Sequence, residues 1–407
     1  MKVLQVNSVY KYGSTGKITF DINNGLLNSG HQSIVCYGRL EDHNDPNVYR
    51  LCSDTYSKVN HLLCNLTGLT YGYCHYATNK LKKIILKEKP DIVHLQCINN
   101  YFINIYEILR WLKEKDINTV LTLHAEFMYT GACSHALDCP KWQYEDGCKN
   151  CERWKSVTGS YFFNRTNEMW HKLYDAYLGF DKLTVVSVSP WLMERAMASP
   201  MLKDKKHCVI LNGLETDIFH YSFDEELRKK YAPNGEKLIL HVTPTFSASP
   251  NNVKGGHYVI ELAKCLLDQK IKILVVGEKE GDFELPSNIE FVGLIKDQKL
   301  LAKYYSIADV TLLTSKRETF SMVTAESLCC GTAVVGLKAG GPEQITIDRY
   351  SCFVEQGDVD GLKEKTLEII NTPFDKEVIS QEAITKYKKG KMCKEYLNLY
   401  EEILRKN

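Results

Sequence analysis

Residues 315–343, SKRETFSMVTAESLCCGTAVVGLKAGGPE, leave few folds open. Just before them, ADVTLLTS (308–315) is a short apolar, β-branched run of the kind found in strands buried on both faces. The chain then breaks into polar residues. Helix formers without proline follow over 322–330, Gly331 stands where a helix stop belongs, and TAVVGL reads as a second buried strand. Strand, loop, helix and strand make the repeating unit of a parallel α/β sheet, with a polar loop at the carboxyl end of a strand, where such sheets take ligands.

Two carboxylates frame that loop, Glu318 and Glu326, with seven residues between them. The backbone amides of Ser321, Met322 and Val323 open the helix and suit a phosphate or diphosphate. A carboxylate one turn further in accepts hydrogen bonds from a vicinal diol such as a ribose. Spacing alone leaves a second reading open, two solvated glutamates beside a core helix.

The residues ETFSMVTAESLCCGTAVVGLKAGGPEQI resemble the signature of the retaining GT-B glycosyltransferases of family 4, the glycosyltransferase group 1 type. The resemblance implies an α/β fold of two Rossmann-like, doubly wound parallel-sheet domains facing across a cleft. It implies a nucleotide-sugar donor, UDP- or GDP-linked, held through Arg317, Glu318, Phe320, Ser321, Met322, Val323 and Glu326, with Glu318 at the sugar and Glu326 at the ribose. No catalytic metal is implied. Ser321 departs from the family pattern, which has glycine there.

At the amino end, KVLQVNSV reads as a first strand running into the glycine-rich turn KYGSTGK and a helix over 18–28. It has no small-residue cleavage site, so it does not read as a signal peptide. The turn is not a Walker A loop, because Lys11 and Ile18 stand where that motif needs Gly and Ser or Thr. By itself it is either a plain strand–helix connection or a phosphate approach. In the resemblance, Gly13 and Gly16 face the donor diphosphate and the acceptor. Residues 79–89 carry five lysines along an amphipathic helix, read either as a solvated face or as one resting on an anionic membrane.

The strand NTVLTLH ends at His124, well placed for chemistry at the carboxyl edge of a sheet. In the resemblance this histidine faces the donor sugar, and the usual aspartate after it is Ala125. Next come Cys133, Cys139, Cys148 and Cys151, four thiols within nineteen residues. They read either as a tetrahedral structural zinc site or as free, reversibly oxidised cysteines. Bacterial capsule and exopolysaccharide glycosyltransferases carry a similar insertion, and the likeness reaches back to Asn100, Tyr101 and Asn104, placed on the acceptor side.

KHCVILNGLETDIF resembles the stretch that ends the first domain of the family. The domains expected are 1–212, acceptor-side, with the cysteine-rich insertion at 133–151; 213–392, donor-binding; and 393–407, a helix returning to the first. In the second domain a Ser/Pro/Asn-rich loop follows Thr243 and reaches Lys254 just before two glycines and a helix. A bare surface lysine is the plain reading. The resemblance makes Lys254 the residue that neutralises the leaving diphosphate, with Ala248 where the family has arginine. Strand ends at Gly277 and Ile295 fall where the family contacts the nucleobase.

A net charge of +1 over 407 residues gives no general pull towards nucleic acid. No apolar run approaches the roughly 20 residues that span a bilayer. Fifteen cysteines, an odd number without an export signal, argue for reduced thiols and a cytoplasmic chain. The expectation is a retaining transferase, with His124, Lys254 and Glu318 as its catalytic residues. It would move sugar from a nucleotide sugar to a glycan or polyprenyl-diphosphate-linked acceptor in bacterial surface polysaccharide synthesis, peripheral to the inner membrane. The alternatives are a nucleotide-sugar epimerase on the same fold and a non-catalytic nucleotide-sugar-binding subunit.

Overall fold

The structure, a computed structural model, describes residues 1–406. The chain divides into two compact units, Met1–Leu211 with the residues from Met392 onward, and Asn212–Lys391.

The first unit runs β1 (Lys2–Asn7), α1 (Gly13–Asn28), β2 (Gln32–Tyr37), β3 (Val48–Arg50), α2 (Asp54–Thr67), α3 (His75–Glu88) and β4 (Ile92–Leu95). It continues through α4 (Ile105–Glu114), β5 (Thr119–Leu123), α5 (Trp154–Thr158), α6 (Thr166–Tyr177), β6 (Leu183–Ser187), α7 (Pro190–Met197) and β7 (Lys206–Val209). Its seven strands lie in the order β3-β2-β1-β4-β5-β6-β7, every neighbouring pair parallel. The order reverses between β1 and β4, where the loops after both strands diverge and leave room for a ligand.

The second unit runs α8 (Glu225–Tyr231), β8 (Lys237–Ser247), α9 (Gly256–Cys265), β9 (Ile271–Glu280), β10 (Ile289–Gly293), α10 (Gln298–Ile307) and β11 (Val310–Leu313). It continues through α11 (Met322–Cys329), β12 (Val334–Leu337), α12 (Gly341–Ile345), β13 (Ser351–Val354), α13 (Val359–Asn371) and α14 (Lys376–Tyr387), after which α15 (Lys389–Arg405) carries the chain back into the first unit. Its six parallel strands lie in the order β10-β9-β8-β11-β12-β13, and the switch point falls between β8 and β11. Two parallel-sheet, Rossmann-like units of seven and six strands are thus the α/β architecture expected.

Both cores follow from the apolar runs. In the second unit Ile239, Ile273, Val310 and Val335 from four strands pack under Val259, Leu262 and Leu362. In the first, Val3, Ile92 and Val120 are covered by Met392, Tyr396 and Tyr400 of α15. Each such side chain contributes about 1.5–3 kcal/mol when fully buried. The last helix therefore belongs energetically to the sheet formed by the start of the chain.

Local boundaries differ from the sequence expectation in several elements. Helix α1 begins at Gly13, not at residue 18, because Gly13 accepts a φ of +61° and lets the glycine-rich turn become the first helical turn. Strand β8 continues past Pro244 to Ser247, after a register shift between Val242 and Thr245, and β9 continues to Glu280. Phe246 drives that extension, since it is fully buried and packs edge-on to His241 and Phe291.

Candidate functional site

At the switch point of the second unit the loops after β8 and β11 are tied together. Lys316 N–H donates to the Val253 carbonyl at 2.8 Å, and Thr314 Oγ1 to the Lys254 carbonyl at 3.1 Å. Gly255 makes this approach feasible, because its φ is +68° and a Cβ there would lie 2.0 Å from the Thr314 carbonyl oxygen. The tether carries Lys254 Nζ to 2.6 Å from Glu318 Oε1. Both side chains are partly exposed, 34% and 20%, so the pair is worth about 1 kcal/mol or less. A phosphate oxygen can therefore compete for Lys254 at small cost.

Glu318 is fixed from its other side by the turn at residues 339–343. Its N–H donates to the Ala339 carbonyl at 3.0 Å and its carbonyl accepts from Gly341 N–H at 2.9 Å. Gly341 is required there, since a Cβ would meet the Thr319 carbonyl oxygen at 2.4 Å. Glu343 holds the turn by accepting from Ala339 N–H at 3.1 Å and Gly340 N–H at 2.8 Å. This glutamate closes the family-like stretch of the sequence and has a structural role there.

Ser321 opens α11 at a φ of +78°, a conformation that costs a non-glycine residue strain, which accounts for glycine being the usual occupant. Its hydroxyl offsets part of that strain as the N-cap, accepting from Thr324 N–H at 3.2 Å and from Thr324 Oγ1 at 3.0 Å. The amides of Met322 and Val323 then belong to the helical turn that has no i−4 carbonyl to bond. Glu326 lies one turn further on, half-buried, with Oε2 accepting from the Tyr305 hydroxyl at 3.0 Å. Burial and the neighbouring carboxylate push the Tyr305 phenol well above its ordinary pKa, so it remains a donor. Nothing in the sequence spacing pointed to Tyr305.

Of the remaining expected donor residues, Arg317 is half-buried beside Glu318. Phe320 is buried with its ring edge-on to Tyr387, 6.5 Å between centroids, and so anchors the loop from below. Gly277 lies in β9, where a Cβ would be 2.3 Å from the Thr243 carbonyl oxygen, and Ile295 follows β10, half-buried. Both sit at the carboxyl edge of the same sheet, one and two strands from β8.

In the first unit Gly16 is packed closely, with its notional Cβ 3.2 Å from Val9 Cγ2, whereas Gly13 faces open space. His124 follows β5, and burial lowers its pKa to about 4, so it is a neutral imidazole at pH 7. Behind it a network joins β4 and β5 to α15. His94 Nε2 lies 2.8 Å from Thr122 Oγ1, which is 3.0 Å from the Tyr396 hydroxyl, and the Tyr400 hydroxyl is 2.7 Å from His94 Nδ1. Asn100 and Tyr101 both adopt positive φ, +76° and +58°, beside a cavity they help to line. Asn104 is buried as the N-cap of α4, accepting from Glu107 N–H at 3.0 Å and donating to the Gly72 carbonyl at 2.8 Å, so both its polar groups serve the fold.

The four cysteines of the insertion are free. Among the described residues no group of three or more His, Cys, Asp or Glu side chains is gathered to hold a metal, so the expected tetrahedral set at Cys133, Cys139, Cys148 and Cys151 is not assembled. Burial, with the charges of the neighbouring thiols, pushes Cys133 and Cys148 up to about 12. A fully buried carboxylate, Glu126, is among the groups that hold the segment. Glu126 takes Arg195 Nε at 2.6 Å, the Tyr129 hydroxyl at 3.0 Å and the Ala136 N–H at 2.8 Å. The Arg195 guanidinium is itself clasped between Trp142 and Trp191, 4.9 Å from each ring.

Two family domains match this chain: Glycosyltransferase Family 4 over residues 16–218, and Glycosyl transferases group 1 over 223–390. An uncharacterized glycosyltransferase, MJ1178, of Methanocaldococcus jannaschii is 24% identical over 310 residues, 74% of this chain and 78% of that protein. The sucrose-phosphate synthase of Thermosynechococcus elongatus superposes with a TM-score of 0.66 over all of both chains at 16% identity. Anabaena Alr3699/HepE in complex with UDP-glucose does so at 0.58, again over all of both chains, at 14% identity. With the two matched domains spanning nearly its whole length and this fold in both units, the chain belongs to the GT-B glycosyltransferase superfamily that joins a family 4 domain to a group 1 domain.

Proposed function

We propose that the chain is a retaining, nucleotide-sugar-dependent transferase that passes a sugar to a glycan or lipid-linked glycan in bacterial surface polysaccharide synthesis. It works peripherally on the cytoplasmic face of the membrane. The observation that carries this reading is the meeting of Lys254 and Glu318 at the switch point, beside the amino end of the helix that bears Glu326. Opposite charges and helix amides there suit an anionic leaving group and a polyhydroxyl group side by side.

In this reading Lys254, Arg317 and the α11 amides take the charge that develops on the diphosphate as the anomeric C–O bond breaks. Glu318, released from Lys254 by the phosphate, accepts from the sugar hydroxyls, and Glu326, aimed by Tyr305, accepts from the ribose. The acceptor hydroxyl attacks from the face the diphosphate leaves, and its proton passes to the departing phosphate oxygen. No protein nucleophile is needed. His124, a neutral imidazole, can orient sugar and acceptor by hydrogen bonding without acting as a charged acid. The UDP-glucose of the Anabaena structure favours a UDP-sugar as donor.

The test is a thermal-shift titration with UDP, GDP, ADP and their sugar conjugates, followed by a transfer assay with the stabilising donor. Stabilisation by one nucleotide, weakened in Glu326→Ala with the fold intact, supports the reading. Wild-type nucleotide binding and turnover in that variant would sink it. Release of an isomerised nucleotide sugar without acceptor would favour an epimerase.

A further inference from the structure

Helix α2 presents an uncovered apolar face. One of its stripes, Val59, Leu62, Leu63 and Leu66, is apolar yet open to solvent, with Val59 53% and Leu62 51% exposed. The spacing i, i+3, i+4, i+7 is that of a core-facing stripe, but no core covers it. Alongside lies the loop Tyr161, Phe162 and Phe163, joined to the helix by Tyr161 N–H donating to the Asn65 carbonyl at 2.8 Å. All three rings are more than half exposed, Phe162 at 65%. Four aliphatic and three aromatic side chains are thus exposed on this helix and on the loop bonded to it, the kind of apolar exposure that marks an interaction site.

The same helix lines a cavity of about 430 Å³ with Lys58 and His61. Arg39 joins them from the loop after β2, and Asn100 and Tyr101 from the loop after β4. The walls are prearranged. The His61 ring stacks on Tyr101 at 4.3 Å, Ser57 Oγ donates to the Asn100 carbonyl at 2.8 Å, and Cys74 Sγ to the Tyr101 carbonyl at 3.0 Å. These bonds hold two successive non-glycine residues at positive φ, the kind of strain that gathers at binding sites. The one carboxylate in the cavity wall, Asp54, is paired with Arg50 at 3.3 Å. No Asp or Glu occurs from Thr55 to Lys87, a stretch with five lysines, and none from Arg153 to Asn167. The cavity shares Leu40 and Asp54 with a second one of about 560 Å³, where Tyr10, Tyr12 and His43 provide ring surfaces suited to a sugar.

We propose that this face takes a lipid phosphate, its phosphate between Arg39, Lys58 and His61 and its hydrocarbon tail along the α2 stripe and the 161–163 loop. The cationic cavity and the apolar stripe lie on adjacent faces of a single helix, so that head and tail of one lipid phosphate can be met side by side. The neighbouring aromatic cavity leaves space for a sugar attached beyond the phosphate. The inference rests on the transferase reading in making this lipid the acceptor's anchor, and it moves the membrane-facing surface from the lysine face of α3 to α2.

The test uses the full-length protein and three probes: farnesyl phosphate below its micelle concentration, inorganic phosphate, and farnesol. Binding is followed by calorimetry, with UDP titrated into the same samples. Farnesyl phosphate is expected to bind at least roughly tenfold more tightly than either other probe. Lys58→Ala and Arg39→Ala should each weaken it by about tenfold. Leu62→Ser with Phe162→Ser should bring it down to the level of inorganic phosphate. Equal binding of farnesyl phosphate and inorganic phosphate would leave a bare anion site and overturn the proposal, as would indifference to Lys58→Ala. Unchanged UDP binding in these variants shows that the fold and donor site are intact. Absence of UDP binding in the wild type strikes the transferase reading instead, whatever the lipid result.

Discussion

The Tyr305 hydroxyl of α10 donates to Oε2 of Glu326 on α11 at 3.0 Å, and this bond restrains the helix carboxylate. Replacing Tyr305 by Phe removes one hydrogen bond to a charged group without opening a cavity. The expected loss is about 1 kcal/mol in nucleotide binding, roughly a fivefold rise in the UDP dissociation constant. The melting temperature should move little, because Phe keeps the buried ring. A titration of UDP into both proteins checks it, and an unchanged constant would mean that Glu326 is held by other groups or binds nothing.

Ser321 offers a substitution whose two contributions have opposite signs. Glycine relieves the strain of φ +78°, about 1 kcal/mol, and loses only a few tenths as an N-cap. Alanine keeps the strain and removes the bond to Thr324 N–H, costing about 1 kcal/mol. Urea unfolding followed by a probe in the second unit should therefore rank Ser321→Gly at or slightly above wild type and Ser321→Ala clearly below it. The reverse order would mean that the hydroxyl does more than cap the helix.

The strand–loop–helix–strand unit at residues 308–337 was legible because each element is short, apolar and bounded by a stop: polar residues after β11 and Gly331 after α11. Glu318, Glu326 and Lys254 were legible as residue types. Their meeting was not, since the 2.6 Å pair of Lys254 and Glu318 joins positions 64 apart and depends on the tether at Gly255. Tyr305 and Glu126 left no local signal, because each acts through a partner that only the fold supplies. The Ser, Pro and Asn content after Thr243 reads as loop, whereas the buried Phe246 carries strand β8 on to Ser247. The four cysteines drew attention to a metal, yet their segment is held by a carboxylate outside the cluster.

Acid should loosen the packing of α15 on the first sheet. Burial, with the charge of His124, lowers the His94 pKa to about 3, against an ordinary value of 6.5. A depressed folded-state value means that the unfolded chain binds the proton first. The stability this group contributes is therefore complete above about pH 6.5 and is lost as pH falls from there towards 3, by up to about 1.4 kcal/mol per pH unit. His124, lowered to about 4, adds a loss of the same sign. His94→Gln should be less stable at pH 7, where it forfeits the bonds to Thr122 and Tyr400, but should lose less between pH 7 and 5 than wild type does. Melting curves at the two pH values check this, and parallel losses in both proteins would remove His94 from the account.

Glu126 should decide whether the cysteine-rich segment stays closed. It is fully buried and serves Arg195, Tyr129 and the Ala136 amide at once. Glu126→Gln keeps the shape but leaves the Arg195 cation, clasped by two tryptophans, without its counter-charge. Breaking one side of such a buried pair costs about 3–5 kcal/mol. The loss should be local first, because residues 133–151 contain no strand or α-helix and Glu126 bonds the segment directly at the Ala136 amide. The buried thiols of Cys133 and Cys148, held neutral by their raised pKa, react slowly with iodoacetamide while the segment is closed. In Glu126→Gln their alkylation should speed up by about tenfold or more at pH 8, before any change in UDP binding by the second unit. Glu126→Gln with Arg195→Met, which removes both charges, should recover much of the protection. Fast alkylation in that double variant would mean that packing, and not the ion pair, keeps the segment closed.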